Sequence, residues 1–114
     1  MRRSLIVLAG VVLMAGLLLA GGCAKKAPLN KDQKVYAGKW VAGDGTFIHI
    51  YYDGSADVET ANTHIQGGAV TFSGGSVKVS LFGIKKEYKI TRPPHGEDGE
   101  WTMELDGVTY KKSE

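Results

Sequence analysis

The chain has 114 residues, with 14 Lys and Arg, 12 Asp and Glu, 16 glycines and one cysteine, enough for one small domain and too few for a large multi-domain enzyme. Arg2 and Arg3 account for the whole formal excess of +2, so the rest of the chain is neutral and nucleic-acid binding by bulk charge is excluded. A lone cysteine makes no internal disulfide, and the sequence holds no Cys/His cluster at metal-ligand spacing.

Arg2 and Arg3 precede an uncharged apolar run over residues 5–19, after which Ala20, Gly21 and Gly22 lead up to Cys23. A basic start, an apolar middle and a small-residue exit are the order of a secretory signal. The apolar run reaches 18 residues over 5–22, at the short end of what crosses ~30 Å of hydrocarbon. The small-residue exit and the lack of any aromatic residue before Tyr36 argue for a cleaved signal helix over a membrane span.

Leu19-Ala20-Gly21-Gly22-Cys23 resembles the lipobox of bacterial lipoproteins, with Ala20 at the position where most lipoboxes carry Leu. The resemblance implies a signal peptide over 1–22, cleavage before Cys23, and lipid on the Cys23 sulfur. It places the chain in the bacterial cell envelope. Each buried methylene adds ~0.8 kcal/mol of membrane affinity, so two or three acyl chains make a durable anchor. Ala24 stands where an inner-membrane retention signal carries Asp, so the resemblance favours the outer membrane, facing the periplasm, in a cell with two membranes.

Residues 23–37 read as a lipidated tether, rich in lysine and with little to bury. Its lysines are worth about 1 kcal/mol each beside an anionic lipid surface, although a solvated linker is the simpler reading of that composition. From Gly38 the apolar period becomes two. Turn signals recur: Asp44-Gly45, Asp53-Gly54, Gly67-Gly68, Gly74-Gly75, Pro93-Pro94-His95-Gly96 and Asp106-Gly107. This predicts an all-β domain over 38–114. Its strands are expected at 38–42, 46–52, 55–60, 63–66, 69–73, 76–82, 87–92, 100–105 and 108–112. An antiparallel meander of about eight short strands forms either a small up-and-down barrel or a strongly twisted sheet.

Register follows from the faces, because a one-residue slip sends every side chain to the wrong side. A two-residue turn at Asp53-Gly54 would set Ile50 against Asp57. A three-residue loop over 52–54, with Gly54 left-handed, sets Ile50 against Ala56 and Ile48 against Val58. The same loop form over 43–45 puts Trp40 beside Ile48. Two-residue turns at Gly74-Gly75 and Asp106-Gly107 align Phe72 with Val77, Val70 with Val79, Leu105 with Val108 and Met103 with Tyr110. The expected inward set is Trp40, Ile48, Ile50, Val58, Ile65, Val70, Phe72, Val77, Val79, Leu81, Tyr88, Ile90, Trp101, Met103, Leu105, Val108 and Tyr110. So many large side chains leave little lumen in a short barrel.

Tyr36-Ala37-Gly38-Lys39-Trp40, the strand ending Ile50-Tyr51-Tyr52-Asp53-Gly54 and the closing hairpin around Asp106-Gly107 resemble small lipocalin-like (calycin-like) bacterial lipoproteins. In these a Gly-x-Trp opens the first strand soon after the lipidated cysteine. The resemblance implies a β-barrel. In many lipocalins an arginine of the last strand packs over that tryptophan, whereas this chain has Lys111 and Lys112 there.

For chemistry, His49, His64 and His95 lack ligand spacing, the acidic cluster Glu97, Asp98 and Glu100 lacks the regularity of a calcium loop, and the glycine pairs precede no helix. His49 faces Asp57 or Glu59 across a hairpin, with Ser55 or Thr60 nearby, but no nucleophile sits on a strained turn. The expectation is a non-enzymatic protein without metal or cofactor. Charge runs in blocks: 44–59 is acidic, 78–92 is net +4 and 97–106 is acidic again, which predicts cross-strand ion pairs between neighbouring strands. The apolar anomaly is on the outer face, where Val41 lies opposite Phe47 with Tyr51 further along and Phe82 outward elsewhere. Val41, Phe47 and Tyr51 form a candidate contact for a protein partner in the envelope. A second packed layer, with Leu29, Val35 and Tyr36 folding back, would explain the same residues. Two alternatives stay open: a lipocalin-like binder of a small apolar ligand, and an inhibitor of an envelope-attacking hydrolase.

Overall fold

The computed structural model describes residues 26–113, so the signal segment and Cys23 lie outside the described residues. After a single 3₁₀ turn at Lys34–Tyr36 come eight antiparallel strands: β1 (Gly38–Ala42), β2 (Phe47–Ile50), β3 (Ser55–Glu59), β4 (His64–Ser73), β5 (Ser76–Leu81), β6 (Ile84–Glu97), β7 (Glu100–Leu105) and β8 (Val108–Lys112). Each pairs with its successor and β8 returns to β1, so the meander closes into a barrel. Closure removes the unpaired strand edges that an open sheet would present. Among the described residues no helix is long and apolar enough to cross a membrane.

The register follows the face argument. Trp40 pairs with Ile48, Ile48 with Val58 and Ile50 with Ala56, the last two across a three-residue loop closed by Gly54 at φ +88°. Val70 aligns with Val79, Phe72 with Val77, Met103 with Tyr110 and Leu105 with Val108. The inner positions of β1, β2, β3, β5 and β7 are essentially sealed, with Trp40, Ile48, Val77, Val79 and Leu105 all at 0% exposure. Phe72, Leu81 and Ile90 sit at the margin, partly buried against that core.

Three expectations are corrected. Gly67-Gly68 is a bend within one strand, so the segments expected at 63–66 and 69–73 are both part of β4. Between Ala56↔Gly68 and Val58↔Ile65, β3 advances two residues while β4 advances three, which is a β-bulge. Gly67 takes φ +73°, and its N–H donates to the Asp57 carboxylate at 2.8 Å. Gly68 faces inward with no room: an added Cβ would lie 2.8 Å from Ile65 Cγ2 and 2.9 Å from Val79 Cγ1.

Pro93 to Gly96 is also strand, not turn. The first part of β6 pairs with β5 and the second, past two register shifts, with β7 alone. A missing proline N–H is tolerated at such a bulged, one-sided stretch, and the reversal falls at Asp98-Gly99, both at positive φ. Trp101 and Val108 keep the inward parity but stand at the rims, 44% and 46% exposed. Trp101 lies over Gly96 at the outer end of the β6–β7 hairpin.

The third correction concerns the tether. Residues 29–37 fold onto the barrel mouth from which β1 begins. Leu29 and Ala37 are buried at 5% exposure each, the Leu29 amide donates to the Tyr52 carbonyl at 2.9 Å, and the Tyr36 ring meets Phe72 at 4.9 Å between centroids. The Trp40 indole Nε1 donates to the Tyr36 carbonyl at 2.8 Å. Further out, the Ala27 backbone passes so close to Gly54 that a Cβ there would lie 1.9 Å from its carbonyl oxygen. One mouth of the barrel is thereby plugged by the chain's own lead-in.

The bulge predicts a contrast between glycines. Gly68→Val is expected to cost about 1–3 kcal/mol through overpacking. Gly43→Ala, where nothing lies within 4 Å of the added carbon, should shift stability by no more than about 0.5 kcal/mol. Urea unfolding of the two variants beside the parent protein checks both.

Candidate functional site

The outer face of β1, β2 and β3 carries the three residues singled out from the sequence. Val41 and Phe47 are half-buried neighbours across the β1–β2 ladder, and Tyr51, just past β2, is 37% exposed. They do not form a bare apolar patch. The Lys39 ammonium sits 4.5 Å over the Phe47 ring, a cation–π contact that covers part of it. Tyr51 stacks on His49 with centroids 4.2 Å apart, and its hydroxyl donates to the Asp57 carboxylate at 2.9 Å. Asp57 pairs with His49 in the ladder and accepts from the Gly67 amide. The cross-strand neighbourhood expected for His49 is present, and it braces the β4 bulge.

Val41 borders the more open part of this face. A shallow groove of about 450 Å³ runs from Val41, Ala42 and Gly43 across to Thr109, Lys111 and Ser113, over the seam where β8 closes on β1. On the far side of β8 a smaller recess of about 220 Å³ is lined by Arg92, His95, Glu97, Thr102, Glu104 and Thr109. Both are lined mostly by outward-pointing positions of the sheet, with the buried Ala42 contributing to the first and the buried Met103 to the second. Thr102 lies 3.2 Å from His95 Nε2 and Glu97 3.8 Å from it. The second recess escaped the sequence reading, because Pro93 to Gly96 had the signature of a turn.

The acidic and basic blocks behave differently from expectation. Lys78 pairs with Glu87 and Arg92 with Glu104 in register, yet none of Lys78, Lys85, Lys86, Lys89 and Arg92 forms an ion pair among the described residues. The ion pairs there are Glu59 with His64, Glu97 with His95 and Glu100 with Lys111. Cross-strand neutralisation is therefore not what the alternating blocks achieve. Among the described residues no three His, Cys, Asp or Glu side chains converge on a point where a metal ion could sit.

At the end of the last strand the exposed Lys112 holds its ammonium 5.7 Å from the centre of the Trp40 ring. Tyr88 is 3% exposed and meets Tyr110 edge-on at 6.3 Å. Its hydroxyl is sealed from solvent and has no hydrogen-bond partner among the described residues. Burial, with Tyr110 and Asp106 adding to it, drives the Tyr88 phenol well above the ordinary tyrosine range. Burial also raises Tyr36 and Tyr110. The Asp53 carboxyl is lowered, because it accepts from the Ser55 hydroxyl at 2.6 Å and the Ser55 amide at 2.9 Å.

Compared with protein-family models, with curated proteins and with solved structures, the chain matches none of them.

The orphan hydroxyl gives a signed expectation. A buried donor without a partner costs roughly 1–3 kcal/mol, so Tyr88→Phe should stabilise the protein by about 1 kcal/mol near neutral pH. A phenol whose pKa is raised by folding contributes stability that is complete below its unfolded value of about 10 and is lost as pH rises beyond it. The variant should therefore lose less stability on alkaline titration than the parent. Denaturant unfolding at neutral and alkaline pH measures both effects; a destabilised variant would mean that the hydroxyl is satisfied in solution.

Proposed function

We propose that this chain is a membrane-anchored envelope lipoprotein of non-enzymatic type, whose β-barrel binds a protein partner through the face of Val41, Phe47 and Tyr51. The observation that carries the reading is the groove beside Val41. It has an apolar edge at Val41 and Ala42, a cation at Lys111, and an extent of about 450 Å³, which suits an inserted side chain or a short extended segment of a partner. The adjoining rings of Phe47 and Tyr51 are held by Lys39, His49 and Asp57. A pre-ordered surface loses little side-chain freedom on binding.

The lipoprotein part of the proposal rests on the lipobox resemblance around Cys23, which lies outside the described residues. The placement of Lys112 over Trp40 supports the lipocalin-like resemblance, since a last-strand cation stands over the first-strand tryptophan. Carriage of a small apolar ligand is the weaker alternative. It requires an internal space approaching ~300 Å³, and Trp40, Ile48, Ile50, Met103 and Leu105 occupy the interior at 1% exposure or less. A hydrolase inhibitor has no feature of its own in support.

Two experiments test the proposal. Cys23→Ser should leave the protein without acyl label and uncut after Gly22; unchanged acyl labelling would refute the anchor. A photo-crosslinker in place of Phe47 should capture a discrete partner in the native cell, while one in place of Thr71 on the outer side of β4 should not. Equal capture from both positions, or from neither, would remove the Val41 face as the site.

A further inference from the structure

The anchor and the barrel are much closer together than the sequence suggests. The described lead-in is already packed on the barrel: Ala27 is wedged against Gly54, and Leu29 is buried and bonded to Tyr52. Only three peptide units separate Lys26 from Cys23, and fully extended they reach about 11 Å. The barrel is longer than this leash. β5 runs six residues from the plugged mouth to the Phe82-Gly83 turn, about 20 Å of strand, or about 15 Å along the axis at the usual tilt of about 40°. A leash of that length holds the plugged mouth at the membrane and prevents the opposite end from being the one that faces it.

The chemistry at the plugged mouth agrees with this placement. Residues 24–37 carry four lysines and one aspartate. Lys26, Lys31 and Lys34 are exposed, and none forms an ion pair among the described residues. Beside them Tyr52 is 64% exposed on the β2–β3 loop and Val35 39%. An amphipathic ring beside lysines is the composition favoured at a lipid headgroup layer. Among the described residues the carboxylates at the same end are Asp32, Asp53 and the tip of the β6–β7 hairpin, Glu97, Asp98 and Glu100. Asp53 is engaged by Ser55. The acidic hairpin lies across the mouth from the β2–β3 loop, four strands away in an eight-strand barrel, and an anionic surface repels it. The barrel is thus tipped onto its lysine side.

Resting on the anchor reading of Cys23, we infer that the plugged mouth is a second, electrostatic membrane contact. Lys26, Lys31, Lys34 and Tyr52 lie on the anionic bilayer that holds the lipid. The far end, where Phe82 is 89% exposed at a left-handed φ of +48°, points away from it. This orientation keeps the Val41, Ala42 and Gly43 edge of the groove, at the far end of β1 next to the 43–45 loop, away from the bilayer, while its Ser113 end and Tyr51 lie toward the plugged mouth.

The chain supplies its own labelling scheme. Cys23 is its one cysteine, so once lipid occupies that sulfur an introduced cysteine is the single free thiol. The acylated full mature protein is reconstituted in vesicles containing about a third phosphatidylglycerol, with a fluorophore on Tyr52→Cys or Phe82→Cys and nitroxide on the lipid headgroups. The label at 52 should be quenched at least about twofold more strongly than the label at 82, and Lys31→Glu with Lys34→Glu should weaken the quenching at 52. Equal quenching at both positions, or stronger quenching at 82, in protein whose acyl mass is intact overturns the orientation and leaves the anchor standing. Absence of acyl mass on Cys23 overturns the anchor and the orientation with it.

Discussion

Trp40 is the side chain on which the architecture converges. In β1 it pairs with Ile48 on one side and Lys112 on the other, so the same residue sits in the first ladder and in the seam that closes the barrel. Its indole N–H donates to the Tyr36 carbonyl and fastens the lead-in, and its ring lies beneath the Lys112 ammonium. It is fully buried. Removing a ring of this size from a packed core costs about 3–5 kcal/mol, a large share of what holds a domain this small together. Strand closure, mouth closure and core filling thus depend on one another through a single ring.

That coupling explains why the lead-in is ordered although its composition reads as linker. Leu29 is an isolated apolar residue among lysines and polar groups, so it carries no periodic signal. Its burial becomes visible only once β2 and β3 present the Tyr52 carbonyl and the bare Gly54 backbone beside it. For the anchor proposed at Cys23, a link of three peptide units to Lys26 would set the orientation of the barrel, where a fifteen-residue tether would leave it free.

Alternation of faces made most of the barrel legible in the sequence. The pairing of Ile50 with Ala56 follows from keeping carboxylates out of the core, and that of Met103 with Tyr110 from a two-residue turn at Asp106-Gly107. Local signals failed where they were degenerate. Gly67-Gly68 satisfies a turn or a bulge equally well, and the choice is made by distant partners, the Asp57 carboxylate and the Ile65 and Val79 side chains. Pro93-Pro94 marks a turn only when both neighbours of the strand are present to be disrupted, and this part of β6 has one. For the candidate site, parity placed Val41, Phe47 and Tyr51 on one outer face. The Tyr51–Asp57 hydrogen bond and the groove over the β8–β1 seam depend on contacts that close only in three dimensions.

Trp40 ties the lead-in, the closing strand and the core into one cooperative unit. Hydrogen exchange followed by NMR tests this most directly at the Trp40 indole N–H, the Leu29 amide and the Ser113 amide, which donates to the Lys39 carbonyl across the seam. In one cooperative unit all three exchange with opening free energies close to those of the β5 and β7 amides. Fast, linker-like exchange at Leu29 and the Trp40 indole, beside protected strands, would contradict it.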